Sequence, residues 1–218
     1  MITHGQILSV QVGQIHSYDD AGDPASSWTS AIRKTVVSNA VHVGHTGIAG
    51  DDQADLVNHG GPDKAVLAYA LKHYEKWNAE FPDMNFEAGG FGENLTVADI
   101  DESTCCIGDT FRIGDCLLQI SQPRQPCWKL SRRWNLPKLA VLVQQNGRTG
   151  WYFRVIQEGV IEAGMNIELV DRPYPEFFVA WANLVMYAQP RRQEDDRQLA
   201  ACPSLSASWR TNLEHWAR

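Results

Sequence analysis

Short runs of alternating apolar and polar residues dominate most of the chain, and helical spacing takes over only towards its end. Residues 6–12 alternate, with Leu8, Val10 and Val12 on one side, which predicts a strand. Residues 19–30 are rich in Asp, Gly, Pro and Ser and read as a surface loop. The β-branched segments 31–37 and 40–43 predict further strands. The polar, glycine-studded run 44–63 carries no apolar period, and a loop that long inside a compact chain is more often functional than idle. Residues 65–70 read as a buried strand. A helix follows with Leu71, Tyr74, Trp77 and Phe81 at helical spacing, ended by Pro82. Residues 91–97 form a glycine turn entering a strand. Segments 110–113 and 116–121 flank Gly114-Asp115, a pair suited to a tight hairpin. A short helix over 137–145 and strands over 151–157, 160–162 and 167–170, with Gly159 and Gly164 at the turns, complete the series.

Beyond 171–173 the period changes. Phe178, Trp181, Leu184 and Val185 form one helical stripe, and Leu205, Trp209, Leu213 and Trp216 form another, with Ser206 placed as its N-cap. The mixed-sign run 191–197 reads as a solvated helix face. Many short strands with glycine turns and few helices predict a mainly β fold with helices. The expected architecture is a closed or nearly closed β-barrel over 1–172 followed by a small helical domain over 173–218.

Composition narrows the function classes. The 218 residues carry a formal charge of −7, which argues against non-specific nucleic-acid binding, so an anionic ligand needs a local basic pocket. No stretch approaches the roughly 18 apolar residues of a membrane span. The first twenty residues lack a basic start and an apolar signal core, so no secretion is expected. The five cysteines, at 105, 106, 116, 127 and 202, include no C-x-x-C pair; adjacent Cys105 and Cys106 would face opposite sides of a strand, and a reducing cytoplasm is the simplest home.

The candidate chemistry centres on 121–130, SQPRQPCWKL, where Cys127 sits between Arg124 and Lys129 and prolines 123 and 126 stiffen the approach. Two cations near a thiol favour the thiolate, the form that attacks electrophiles or binds soft metals. Trp128 is the one tryptophan placed near a site; the rest read as core anchors. A second group runs His59, Gly60, Gly61, Pro62, Asp63, Lys64. Its glycines either bring backbone N–H groups to an anion beside Lys64 or simply turn the chain into the next strand. The Walker spacing is absent. His59 is a candidate ligand, proton donor or structural residue, and no second His or Cys at ligand spacing supports a zinc site. His42 and His45 read as structural. In Phe91-Gly92-Glu93-Asn94, the Asn94 amide suits either a heteroaromatic ring edge or an ordinary strand start. Lys34 and Arg33 alternate on a predicted strand, so one of them can face inward. No G-x-S-x-G elbow supports a hydrolase triad.

These segments together, SAIRK (30–34), GIAGDDQAD (47–55), HGGPDKAVLAY (59–69), FGENLT (91–96), SQPRQPCWKL, GWY (150–152) and LSASWRTNL (205–213), resemble the MOSC-domain family, closest to its bacterial YiiM-type members. The resemblance covers nearly the whole chain. It implies a barrel of the pyruvate-kinase type with an appended three-helix domain. It also implies a non-covalently held molybdenum cofactor (molybdenum–molybdopterin) whose metal takes the thiolate matching Cys127. Lys34, His59, Gly60, Gly61, Asp63, Lys64, Gly92, Asn94 and Arg124 match the motif positions that would contact the pterin or its phosphate. The implied activity is a detoxifying reduction of N-hydroxylated small molecules, such as hydroxylamines, amidoximes and 6-hydroxylaminopurine. Since no Rossmann fingerprint is present, a separate flavoprotein would supply electrons. A homodimer is compatible with the chain. The alternative class is a carrier that holds the cofactor, or its sulfurated form, without turnover. A pyridoxal-phosphate Schiff base at Lys34, Lys64 or Lys129 ranks last.

Overall fold

The computed structural model describes residues 4–20, 23–56 and 59–217. Seven strands close into a barrel in the order β1 (His4–Val12), β8 (Leu95–Ala98), β7 (Val66–Ala70), β11 (Trp151–Gln157), β10 (Cys116–Pro123), β9 (Thr110–Ile113) and β13 (Asn166–Asp171), which pairs back onto β1. Among the described strand pairs only β7 and β8 run parallel, and helix α1 (Leu71–Glu80) follows β7 on the path that joins them, as a parallel pair requires. Closure leaves no long open edge; β4 (Thr35–Val37) adds to one end of β1. A smaller sheet, β12 (Gly159–Ile161), β5 (Val41–Gly44) and β6 (Gly47–Ile48), packs alongside. The mainly β, closed-barrel expectation is met.

Inward residues from opposite walls, among them Ile7, Leu95, Phe111, Trp151 and Phe153, fill the barrel with no exposed surface. The last three helices, α4 (Val179–Tyr187), α5 (Gln193–Ala200) and α6 (Ala207–Trp216), contribute Val179, Ala182, Leu199, Trp209 and Leu213 to that same buried cluster. Ser206 caps α6 as expected, its hydroxyl accepting the Trp209 N–H at 3.3 Å. Burial of large apolar side chains such as Trp209 and Leu213, at ~1.5–3 kcal/mol each, outweighs any rim contact in docking this helix. A second, aromatic cluster (Tyr69, Tyr74, Trp77, Phe86, Phe91) joins α1 to two further helices, α2 (Trp128–Arg133) and α3 (Leu139–Asn146).

Several local expectations are overturned. The predicted loop 19–30 is largely strand: β2 (His16–Asp20) and β3 (Asp23–Ser30) pair antiparallel, with Tyr18 opposite Trp28 and ring centroids 4.6 Å apart. A cross-strand aromatic pair stabilises a ribbon whose composition is otherwise polar. Residues 31–34 are irregular rather than extended, so alternation does not sort Arg33 from Lys34; Arg33 lies over Tyr18 while Lys34 turns towards Asp51. In β1 a register shift between Ile7 and Ser9 turns Ile7 and Val10 inward and leaves Leu8 exposed, because a bulge resets the two-residue alternation. Cys105 and Cys106 are both buried outside the named strands. Leu71 and Leu184 are exposed despite their place on helical stripes. Within 191–197, Asp196 is fully buried against Arg191 (2.5 Å), so that face is partly internal.

Candidate functional site

The polar run 44–56, the turn 91–94 and the segment after β10 converge on a pocket of about 650 Å³, counted out to its open mouth. Strand β10 ends at Pro123. The Arg124 N–H is then fixed by the Gly150 carbonyl at 3.0 Å, and the chain turns through Pro126 into α2, with Cys127 as the extended residue just before the helix. The sequence pattern did not predict this helix, which begins directly after Cys127, whose carbonyl accepts the Leu130 N–H at 3.1 Å. Gly150 is required there, since it sits at φ +71° and a Cβ would come within 2.3 Å of the Ala68 carbonyl oxygen.

Burial opposes ionisation of the Cys127 thiol. The hydrogen bond from His59, the charges of Arg124 and His59, and the Lys129 backbone N–H together outweigh it and bring the thiol down to about 7. Burial pushes Cys105, Cys106, Cys116 and Cys202 the other way. Among the five, only Cys127 is poised to be a thiolate near neutral pH.

The cations on the pocket wall are not equivalent. Lys34 is ion-paired to Asp51, which also accepts the Gly13 N–H at 2.7 Å and Asn94 Nδ2 at 2.8 Å. Burial lowers the Lys64 ammonium, against the raising influence of Asp55 and Asp63. Arg124 is buried, with Nη2 donating to the Phe91 carbonyl at 3.1 Å and Nη1 without a partner among the described residues. A buried guanidinium with an unmet donor on a pocket wall is a demand for an anionic or strongly accepting ligand.

Lys34, His59, Lys64, Gly92, Asn94, Arg124 and Cys127 therefore come together on one pocket. Gly60, Gly61 and Asp63 lie outside its lining. A Cβ on Gly60 would meet Gln53, and Gly61 takes φ +92° at the start of the turn Pro62–Lys64. Asp63 faces the barrel's outer side, where it pairs with Arg154 at 2.8 Å and accepts the Ala207 N–H at 3.1 Å. Asn94 lines the pocket, but its amide is committed: Oδ1 accepts the Leu67 N–H at 3.0 Å, and Nδ2 serves the Gln11 carbonyl and Asp51. It braces three strands and the Asp51 loop. Trp128 is exposed and outside the lining, edge-on to Trp28 with Arg132 over its face. The residues that sequence reasoning missed include Asp51, Asp55, Ile32, Leu67 and Tyr152. Asp51 and Tyr152 lie inside the motifs GIAGDDQAD and GWY, but no local pattern marks them out.

The matching family model is the MOSC domain, over residues 55–168, just over half of the chain. The chain belongs to the MOSC-domain family, of the YiiM type. YflK of Bacillus subtilis (strain 168) is 39% identical over 95% of this chain and 92% of its own. The crystal structure of YiiM from Geobacillus stearothermophilus superposes with a TM-score of 0.83 at 36% identity, covering 98% of this chain and all of that one. A protein of Gibberella moniliformis named Reductase is 37% identical over 92% of this chain, which spans 35% of its length. Among the described residues no cluster of three or more His, Cys, Asp or Glu could cage a bare metal ion. The pocket offers one thiol sulfur and four cationic side chains, among them Arg124 with its unmet donor, set beside Asp51, Asp52 and Asp55, and a single soft donor without a protein cage fits a metal arriving with its own organic ligand.

Proposed function

We propose that this pocket holds the molybdenum cofactor and that the chain is an oxidoreductase reducing N-hydroxylated molecules (hydroxylamines, amidoximes, N-hydroxylated purines such as 6-hydroxylaminopurine) to the corresponding amines or, for amidoximes, amidines. The supporting observation is the pairing of a thiol lowered to about 7, on Cys127, with a buried guanidinium whose Nη1 has no partner, on Arg124. MOSC domains in general are associated with this cofactor, and one relative is named a reductase. When bound, the cofactor supplies two-electron redox chemistry at a metal. The reaction balances as R–NHOH plus two electrons and two protons giving R–NH2 and water, with electrons from a separate flavoprotein.

The chain's own residues bind, orient and screen. Cys127 would offer its sulfur to the metal, and His59 would keep that sulfur in place through its hydrogen bond. Arg124 Nη1, which has no partner among the described residues, would meet an anionic oxygen of the cofactor, and Lys64 and Lys129 would add positive charge on the same pocket. Ile32, Leu67 and Phe91 give the pocket apolar walls that limit water near the reacting N–O bond.

The test is elemental analysis and turnover on the same preparation. Purified protein should contain close to one molybdenum per chain and reduce 6-hydroxylaminopurine with a flavoprotein donor, and Cys127→Ser should abolish turnover. Wild-type turnover in Cys127→Ser would overturn the assignment, and cofactor binding without turnover would make the chain a carrier.

A further inference from the structure

A second cavity, about 1600 Å³ out to its mouth, lies between α1, α3 and α4 and shares no lining residue with the Cys127 pocket. Two buried polar side chains on its wall are left open. His73, 4% exposed, contacts Glu102 Oε2 through Nε2 at 2.7 Å, while Glu102 Oε1 accepts the Gly150 N–H at 2.7 Å. Burial disfavours the Glu102 carboxylate, but the hydrogen bonds from His73 and Gly150 outweigh it, so the carboxyl sits below its ordinary range. In a singly protonated imidazole that carboxylate holds the proton on His73 Nε2, which leaves the Nδ1 lone pair without a partner among the described residues.

The second open group is Asn183, 3% exposed. The Thr149 hydroxyl donates to the Gly150 carbonyl at 2.9 Å, so towards Asn183 it can only accept. Asn183 Nδ2 is therefore the atom 2.8 Å from it, and Oδ1 is left without a partner. Both open atoms are acceptors. On the same wall Arg148, tied to Glu80 through Nη2 at 2.6 Å, keeps Nη1 as an unmet donor. Lys72 pairs with Asp101 and Arg148 with Glu80, and the remaining lysine of the lining, Lys76, is itself exposed, so the buried part of the wall calls for no ionic ligand. Unmet groups of this kind are costly to bury dry, and a ligand that satisfies them gains what the folded chain forgoes.

We propose that this cavity is a second binding site, for a small neutral molecule carrying an amino or primary-amide NH2 beside a carbonyl or ring-nitrogen acceptor. The NH2 hydrogens go to His73 Nδ1 and Asn183 Oδ1, and the acceptor goes to Arg148 Nη1. The site does not depend on the activity assigned to the Cys127 pocket. The two are nevertheless joined: Gly150 accepts from the Arg124 N–H and donates to Glu102, and Tyr69 stands between His73 (5.2 Å) and Phe91 (4.6 Å).

The test follows the imidazole nitrogens of full-length, histidine-labelled protein by NMR, with the His73 signal assigned by its loss in His73→Gln. The probes are two pairs in which NH2 is replaced by CH3, benzamide against acetophenone and adenine against 6-methylpurine. At least one amino-bearing probe should move the His73 Nδ1 resonance saturably and bind at least tenfold more tightly than its methyl partner. Asn183→Leu should weaken that binding at least tenfold, read as a shift at His73 rather than His59. If Asn183→Leu fails to fold, Asn183→Ser serves in its place. No shift at His73 up to the solubility limit, equal binding of the methyl partners, or an internal water that no probe displaces would each overturn the proposal.

Discussion

Asn94 Nδ2 donates to Asp51 Oδ2 at 2.8 Å across 43 residues of sequence, and Asp51 in turn holds the Lys34 ammonium. The lysine that the motif match assigns to an anionic ligand thus sits in a preformed ion pair braced by an asparagine. Asp51→Asn should release Lys34 and add one positive charge to the pocket. Calorimetry should show inorganic phosphate binding several-fold tighter than in the unaltered protein; unchanged affinity would mean Lys34 does not reach the ligand. Asn94→Ala strips the partner from the buried Leu67 N–H and should lower stability by about 1–3 kcal/mol in urea unfolding.

Cys127 should react with iodoacetamide along a titration curve centred at about 7, with the four other cysteines inert in the folded protein. His59→Ala removes one of the interactions lowering the thiol and should move the midpoint upward. The linkage has a definite sign. A thiol lowered by folding contributes stability that is fully present above its ordinary value of 9.0 and is lost as pH falls through about 7. Urea midpoints across that window should therefore fall less in Cys127→Ser than in the unaltered chain.

Arg124→Met should leave the barrel folded, with circular dichroism unchanged, yet reduce retained pterin and molybdenum at least tenfold after gel filtration. Arg124→Lys should be intermediate, because an ammonium keeps the charge but not the two-point geometry. Full retention in Arg124→Met would mean that the open Nη1 faces no cofactor oxygen.

Asp63→Ala should separate architecture from chemistry. The side chain ties Arg154 and the start of α6 on the outer face, and partly exposed contacts of this kind contribute only ~0–1 kcal/mol. A small drop in melting temperature is expected, with the Cys127 titration midpoint unmoved. A shifted midpoint would mean that the Asp63 charge reaches the Cys127 thiol as well as Lys64.

Much of the fold was legible because its signals are local. The Gly114-Asp115 hairpin, the strand at Val66–Ala70 and the Ser206 cap each follow from a few adjacent residues whose backbone preferences agree with the final structure. The ribbon of Tyr18 and Trp28 was not legible, since its strand character comes from a pairing between rings rather than from either segment's composition. The α2 helix was hidden for a related reason: two prolines just before it mask a run that is helical once packed beneath the aromatic cluster.

The sequence by itself determined the class of fold, the family and the segment that carries the reactive thiol, all properties of residues close together along the chain. The tertiary structure alone decided which way β1 faces, through one bulge, and which cations of the pocket are paired. It also divided the run at 59–64, bringing His59 and Lys64 to the pocket lining and leaving Gly60, Gly61 and Asp63 outside it. The tuning of Cys127 belongs to that second group. Lys129 acts on it through its backbone, and His59, 68 positions upstream in the numbering, supplies the hydrogen bond that only folding can bring to the sulfur.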